Sequence, residues 1–168
     1  MIAQHKRSTD PDDYQDLPQA IGVMAKSFVD GFVIPLHSHE RDQLLYGISG
    51  IMHLRTEGEA WIVPPDGAVY IPAGTDHSIN MHGDVDMRTL YIDAPVGTPQ
   101  LRTMAVVAVS GLLRELILAL NEEPIVYEPD SRGGLIAQMI ELEIDRANEL
   151  SLNVPLPKDP RLQRLCAE

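Results

Sequence analysis

Three histidines and one glutamine in this sequence have the types and spacing that favour chemistry: His37, His39, Gln43 and His77. His37 and His39 are two positions apart in a predicted β-strand, so we expect their side chains on the same strand face. Two imidazoles on one face can chelate one divalent metal ion. We therefore expect the four residues to line one cavity. They would be either ligands of zinc or nickel or, without metal, hydrogen-bonding partners of a small organic effector or of water.

The spacing around these residues resembles the two sequence motifs of the cupin barrel family. The first cupin motif is G-x5-H-x-H-x3-E-x6-G, and residues 31–50 match it at every position except Gln43. The second motif is G-x5-P-x-G-x2-H-x3-N. Residues 67–80 are similar to it, with one residue missing in two places. The Pro-x-Gly at residues 72–74 predicts a turn that presents His77 to the barrel interior.

Gln43 stands where the cupin motif has a glutamate. Glutamine is neutral, is a poorer metal ligand than a carboxylate and cannot act as a base. Three histidines and an amide can still hold zinc or nickel, but redox catalysis is disfavoured. His53 alternates with Met52 and Leu54, so it faces either the pocket or solvent. The complete predicted set of effector-binding residues is His37, His39, Gln43, Leu45, His77, Arg88 and Tyr91, with Ile79 as a further candidate for the cavity wall.

Short β-strands between residues 20 and 92 are predicted to position these side chains. Strand-like segments separated by turn signals about every ten residues are typical of a sandwich or barrel. Pro35 predicts an edge strand or a bulge, and Asp30-Gly31 predicts a hairpin. The predicted strands are residues 23–29, 32–39, 43–48, 51–56, 60–63, 68–71, 78–81 and 87–92.

Two helices are predicted after Pro99. Ser110 can cap a helix at 111–120, and Asp130 or Ser131 can cap a second helix that extends to about Leu150. The apolar positions of the second helix cover more than one face, so it is either buried on the barrel or shared between the barrel and a partner subunit. We favour the shared position, which predicts a homodimer through helix 131–150.

Charge and composition exclude several classes of function. Lys and Arg number 13 and Asp and Glu 25, for a net charge of -12, and the longest basic cluster is Lys6-Arg7. DNA binding requires cations that replace phosphate counterions, so this chain itself is not expected to bind nucleic acid. The single cysteine, Cys166, excludes an intramolecular disulfide and fits a reducing cytoplasm. Residues 1–19 lack the apolar segment of a signal peptide, and no apolar run is long enough to span a membrane.

Over residues 30–168 the sequence resembles the N-terminal domains of a subgroup of AraC-type transcription regulators. The resemblance is carried by QLLY at 43–46, GIM at 50–52, WIVPP at 61–65, YIPAG at 70–74, HS at 77–78, MRTLY at 87–91, VSGLLREL at 109–116 and PLPKDPR at 155–161. It implies a cupin domain that binds a small molecule, two helices that dimerise it, and a C-terminal DNA-binding domain with two helix-turn-helix units, which this sequence does not contain.

We therefore predict a mostly β fold, a cupin jelly-roll barrel followed by two C-terminal α-helices. The expected organisation is a flexible arm at 1–18, the barrel at 19–98, a helical dimerisation subdomain at 99–152, and a linker with the start of the DNA-binding domain at 153–168. Two functions stay open: a sensor domain without catalysis, or a stand-alone metal-dependent cupin enzyme of the isomerase or dioxygenase type. Gln43, the two helices and the proline-rich linker favour the sensor.

Overall fold

Two long antiparallel strands, β3 (Asp42–Arg55) and β6 (His77–Ile92), form the centre of the fold. The computed structural model describes residues 7–93 and 103–156. The register of the β3–β6 pair is irregular around Gly50. This glycine has φ +73, and a Cβ there would lie 2.7 Å from Val85 Cγ2. Ser49-Gly50, which the sequence predicts as a break between two strands, therefore forms a bulge within one strand.

The two ends of these long strands belong to two halves of one antiparallel sheet. One half adds β1 (Ile21–Phe28), β5 (Gly67–Ile71), β7 (Ala105–Ala108) and β8 (Glu149–Leu150). The other half adds β2 (Val33–His37) on β6, β4 (Glu59–Val63) on β3, and β9 (Asn153–Pro155) on β4. Apolar side chains from both halves pack in one interior cluster, so the sheet closes on itself as a barrel.

The strands of the first half have two buried faces. Side chains such as Leu45 and Tyr91 point into the barrel, whereas their neighbours Leu44 and Leu90 pack against the helices α1 (Gly111–Glu122) and α2 (Arg132–Asp145). The Ser110 side chain caps α1 by accepting from Leu113 N–H, and Ser131 caps α2 by accepting from Gly134 N–H. The prediction of a mostly β fold followed by two helices is confirmed.

The segment before the barrel differs from the flexible arm that its composition predicts. Residues 11–14 form a short 3-10 helix, and Tyr14 is 0% exposed against the barrel interior. The Arg41 guanidinium donates to the backbone carbonyls of Gln15, Leu17 and Gln19. Residues 7–18 are therefore held by specific contacts, and residues 1–6 lie outside the described part of the chain.

Several predicted boundaries also differ from the structure. The sheet continues past residue 98, because β7 pairs with β5. α2 ends at Asp145, before the predicted end near Leu150, and residues 149–150 pair with β7. Residues 153–155 of the predicted linker pair with β4. The rest of that linker, with Pro157, Pro160 and Cys166, lies outside the described residues.

The first two strands do not form the hairpin that Asp30-Gly31 predicts. β1 and β2 both pair with β6, at different positions along its length. The prediction from Pro35 is confirmed: among the described strands β2 pairs with β6 alone, and its register shifts between Ile34 and His37. Within residues 7–93 and 103–156, no helix has the length and hydropathy needed to cross a membrane.

Candidate functional site

The three motif histidines lie together at one end of the barrel. His37, the last residue of β2, pairs with His77, the first residue of β6, and His39 follows two residues after β2. One ring nitrogen of each histidine lies within 4.8 Å of one on each of the other two. The ring centroids are 4.3 Å apart for His37 and His77, and 4.9 Å apart for His37 and His39.

The turn at residues 72–74 connects the two motifs. Gly74 adopts φ +73, a conformation that favours glycine. Its N–H donates to the carbonyl of His39 at 2.8 Å. This bond holds the loop that carries His39 next to the loop that leads into His77.

Backbone carbonyls orient two of the rings. Nδ1 of His37 lies 2.8 Å from the carbonyl of Pro35, and Nδ1 of His77 lies 2.8 Å from the carbonyl of Thr75. A carbonyl oxygen only accepts, so Nδ1 carries the proton and Nε2 keeps its lone pair. Nε2 of His77 is buried and has no hydrogen-bond partner. Backbone groups fix the tautomers of metal-ligating histidines in the same way.

Burial keeps two of these imidazoles neutral. It lowers the pKa of His77 to about 4, and the hydrogen bond to Thr75 only partly offsets this effect. Burial, together with repulsion from His37 and His77, lowers the pKa of His39 to about 4. Both rings are therefore neutral near pH 7, and neutral imidazole is the form that binds metal.

Gln43 and Tyr91 form a second polar pair beside the histidines. They face each other across β3 and β6, and the Gln43 side chain partly offsets the effect of burial on the pKa of Tyr91. Gln43 is 3% exposed, and its Oε1 has no hydrogen-bond partner. Burial raises the pKa of Tyr91, which therefore stays protonated at neutral pH. The His39 ring contacts the Tyr91 ring edge-on, with ring centroids 5.2 Å apart. The Tyr14 ring stacks on the Tyr91 ring, with centroids 5.7 Å apart.

The donor set fits a divalent metal ion. Three imidazole nitrogens converge, two are held neutral by burial, and the buried Nε2 of His77 lacks the partner that a ligated ion would supply. Three imidazoles suit zinc or nickel, and the unpartnered Oε1 of Gln43 lies on the same cavity as two of them. His37, His39 and His77 would hold the ion.

A cavity of about 360 Å³ opens beside this cluster. The predicted residues His37, His39, Gln43, Leu45, Ile79 and Tyr91 line it. His77 does not line the cavity and is 1% exposed behind the His37 ring. Much of the remaining wall is apolar and was not predicted from the sequence: Pro11, Met24, Phe28, Phe32, Ile34, Pro35 and Met87, with Asp12, Lys26 and Ser38 as its other polar members. The alternation of Met24, Lys26 and Phe28 along β1 is the signal that could have identified that side.

Arg88, a predicted effector ligand, lies elsewhere. It follows Met87, whose side chain lines the cavity, so strand alternation turns Arg88 to the opposite face of β6. There its guanidinium forms an ion pair with Asp86 at 2.6 Å. His53 is also outside the cavity, with its ring centroid 3.9 Å from that of His82.

Two sequence comparisons show what this chain is similar to. Residues 27–93 match the sequence profile of the family described as "Cupin domain". The chain is similar to the HTH-type transcriptional regulator NimR of Escherichia coli (strain K12), with 26% identity over 156 residues that cover 93% of this chain and 56% of the regulator. The chain thus spans about half the length of this curated relative.

Solved structures give partial matches. A cupin superfamily protein of Desulfitobacterium hafniense DCB-2 has a TM-score of 0.42 and 19% identity over 44% of this chain and 68% of its own. Oxalate decarboxylase of Bacillus subtilis, described with Mn(II) centres, has a TM-score of 0.40 and 21% identity over 45% of this chain and 22% of its own. The match to the cupin profile at residues 27–93 includes the three clustered histidines, and this segment is therefore similar to a cupin domain.

Proposed function

We propose that this chain is the small-molecule-sensing and dimerisation part of an AraC-type transcription regulator, with the effector held in the barrel cavity. The observation that carries the proposal is the extent of the similarity to the regulator NimR, which covers 93% of the chain. A cupin barrel alone would account for residues 27–93. The similarity extends well beyond that segment and takes in the helical part of the chain.

The cavity supports the sensing role. Its volume of about 360 Å³ is at the lower end of the range of about 300–1,000 Å³ that is typical of small-molecule sites. It has a mostly apolar wall and a polar end formed by His37, His39 and Gln43. An apolar wall with a few converging polar groups is the usual composition of a ligand pocket.

The reading frame after Glu168 tests this assignment. We expect it to encode two helix-turn-helix units. In that longer protein, substitutions of the cavity wall are expected to abolish the response to effector in a reporter assay and to leave operator binding intact. A stop codon directly after Glu168 in the natural gene would contradict the proposal.

We further propose that His37, His39, Gln43 and His77 hold one zinc or nickel ion. A bound ion would supply a Lewis-acidic anchor for the effector. Elemental analysis of protein purified without a histidine tag or added metal tests this. The expected result is one metal per chain, which His37→Ala and His77→Ala lose and His53→Ala keeps, because His53 lies outside the cavity.

Sub-stoichiometric metal that a mild chelator removes, without a change in thermal stability, would contradict the metal site. The same residues would then bind an organic effector or water directly.

We also propose that α2 dimerises the chain with a second copy. Leu135, Met139 and Leu142 are 56%, 41% and 56% exposed, and their spacing places them in one stripe along the helix. The opposite face of α2, with Ile136 and Ile140, packs on the barrel side. A single apolar stripe can pair with its own copy about a two-fold axis, as most homodimers do.

Sedimentation at tens of micromolar tests the dimer. The unmodified chain is expected to be dimeric and Met139→Glu monomeric, because the substitution would bury an unpaired charge. Val126→Glu is the matched control, since Val126 is 55% exposed and outside the stripe. Ile140 does not serve as a test position, because it is 0% exposed in the core. A monomeric unmodified chain at this concentration would contradict an interface of ordinary size.

A metal-dependent cupin enzyme, of the isomerase or dioxygenase type, is the second candidate. The observation that favours it is the convergence of three histidines, with the unpartnered Nε2 of His77 among them. The cluster contains no carboxylate that could act as a base. Turnover of a candidate substrate that depends on added zinc or nickel and is lost in His77→Ala would favour the enzyme over the sensor.

A further inference from the structure

The cavity wall has two chemically different parts. One end carries the nitrogen and oxygen atoms of His37, His39 and Gln43. Away from that end the wall is formed largely by carbon, and the rings of Phe28 and Phe32 pack against each other with centroids 5.0 Å apart. A ligand that fills this space needs a small polar head and an apolar body, because an apolar wall leaves polar groups of the ligand without partners.

The residues that would ligate a metal ion carry no negative charge, although the carboxylate of Asp76 acts on His77. The three imidazoles are neutral ligands, and Gln43 occupies the position at which the cupin motif has a glutamate. Asp12 is the one carboxylate among the described residues that line the cavity, and the ammonium of Lys26 lines it too. No ligand charge would therefore offset a divalent ion on the histidines, and partial burial strengthens the attraction of such an ion for an anion.

We infer that the cavity takes a small organic carboxylate with an apolar body, whose carboxylate binds at the histidine end and whose hydrocarbon part contacts Phe28 and Phe32. This inference rests on the proposed function, because it requires the metal on His37, His39 and His77. It deepens that function by naming the chemical class of the effector. Gln43 is then a specificity-determining residue, since its neutrality leaves the charge that the carboxylate neutralises.

Calorimetric titration of the zinc-loaded chain tests the inference with three probes. Benzoate has the charge and the apolar body, benzamide has the same shape without the charge, and acetate has the charge without the ring. Benzoate is expected to bind at least about tenfold more tightly than either of the others. Benzamide that binds as well as benzoate would overturn the carboxylate, and acetate that binds as well would overturn the apolar body.

A variant tests the role of Gln43. Gln43→Glu is expected to keep zinc and to weaken benzoate binding at least about tenfold, because the new carboxylate offsets the charge of the ion. With cobalt in place of zinc, benzoate is expected to change the visible absorption spectrum of both chains, and Gln43→Glu is expected to need at least about tenfold more benzoate for the same change. Unchanged benzoate affinity in a zinc-loaded Gln43→Glu chain would refute the role of Gln43. If that variant does not fold, the comparison of benzoate with benzamide on the unmodified chain decides.

A prior titration with zinc alone separates this inference from the proposal beneath it. No stoichiometric zinc binding would contradict the metal site and overturn the inference with it. Zinc binding without preference for benzoate would overturn the inference and leave the metal site in place. Phe32→Ala, at a ring that is 44% exposed, is expected to weaken benzoate binding and to leave acetate binding unchanged. Equal losses of affinity for both probes would contradict the orientation in which the hydrocarbon part of the ligand contacts Phe32.

Discussion

Replacement of Tyr14 by alanine removes the one fully buried side chain of residues 7–18. The ring is 0% exposed and stacks on Tyr91, and its hydroxyl donates to the carbonyl of Ser8 at 2.8 Å. Truncation of a buried aromatic side chain to alanine costs about 3–5 kcal/mol. For a chain of this size that loss lowers the melting temperature by roughly 10 °C or more. Tyr14→Phe loses only the hydrogen bond, which contributes about 1 kcal/mol.

Urea denaturation followed by circular dichroism measures these differences. Asp16→Ala, at an exposed position of the same segment, is the control and is expected to change the free energy of unfolding by less than about 0.5 kcal/mol. A loss below about 1 kcal/mol in Tyr14→Ala would refute the reasoning. Residues 7–18 would then be a loosely attached arm, as their composition predicts.

Three further outcomes are expected. Acidification of the metal-free chain from about pH 6.5 to about pH 4 is expected to lower its stability. The reason is that His39 and His77 have pKa values near 4 when folded and near 6.5 when unfolded, so they take up protons on unfolding. Denaturant titrations at several pH values measure the free energy of unfolding, and a value independent of pH would contradict the prediction. Gly134→Ala is expected to lower the free energy of unfolding by at least about 2 kcal/mol in thermal denaturation, because its Cβ would overlap the carbonyl oxygen of Pro129. Gly58→Ala is the control, because Gly58 has open space around it, and this substitution is expected to leave the stability nearly unchanged. The purified chain, with a net charge of -12, is expected to show no operator binding in a mobility-shift assay, and tight, salt-sensitive binding would disprove this.

Local patterns in the sequence predicted most of the strands and both helix starts. Alternating hydrophobicity marks strand faces, and a serine side chain at a helix start is recognisable from the sequence alone. The same patterns did not predict strand pairing. Asp30-Gly31 forms a turn, but β1 and β2 each pair with a different part of β6. A local turn signal does not show whether two consecutive strands pair with each other or, as here, each with a third and longer strand.

The site was predictable to the extent that motif spacing determines it. The spacing of His37, His39 and His77 was enough to place them in one cluster. Arg88 was misplaced because a shift of one residue moves a side chain to the other face of its strand. The contribution of Asp12 was missed because a polar segment with a single buried ring has the composition of a disordered terminus.

The alternation along β3 and β6 has a consequence for evolution. Gln43 and Leu45 contact the cavity, whereas the intervening Leu44 packs toward the helices, and Tyr91 and Leu90 divide in the same way. Mutations at alternate positions of one strand therefore fall under separate selection. A lineage can acquire a new ligand by changing one set and keep its helix packing, so descendants of one ancestor could differ in what they bind while sharing the way they assemble.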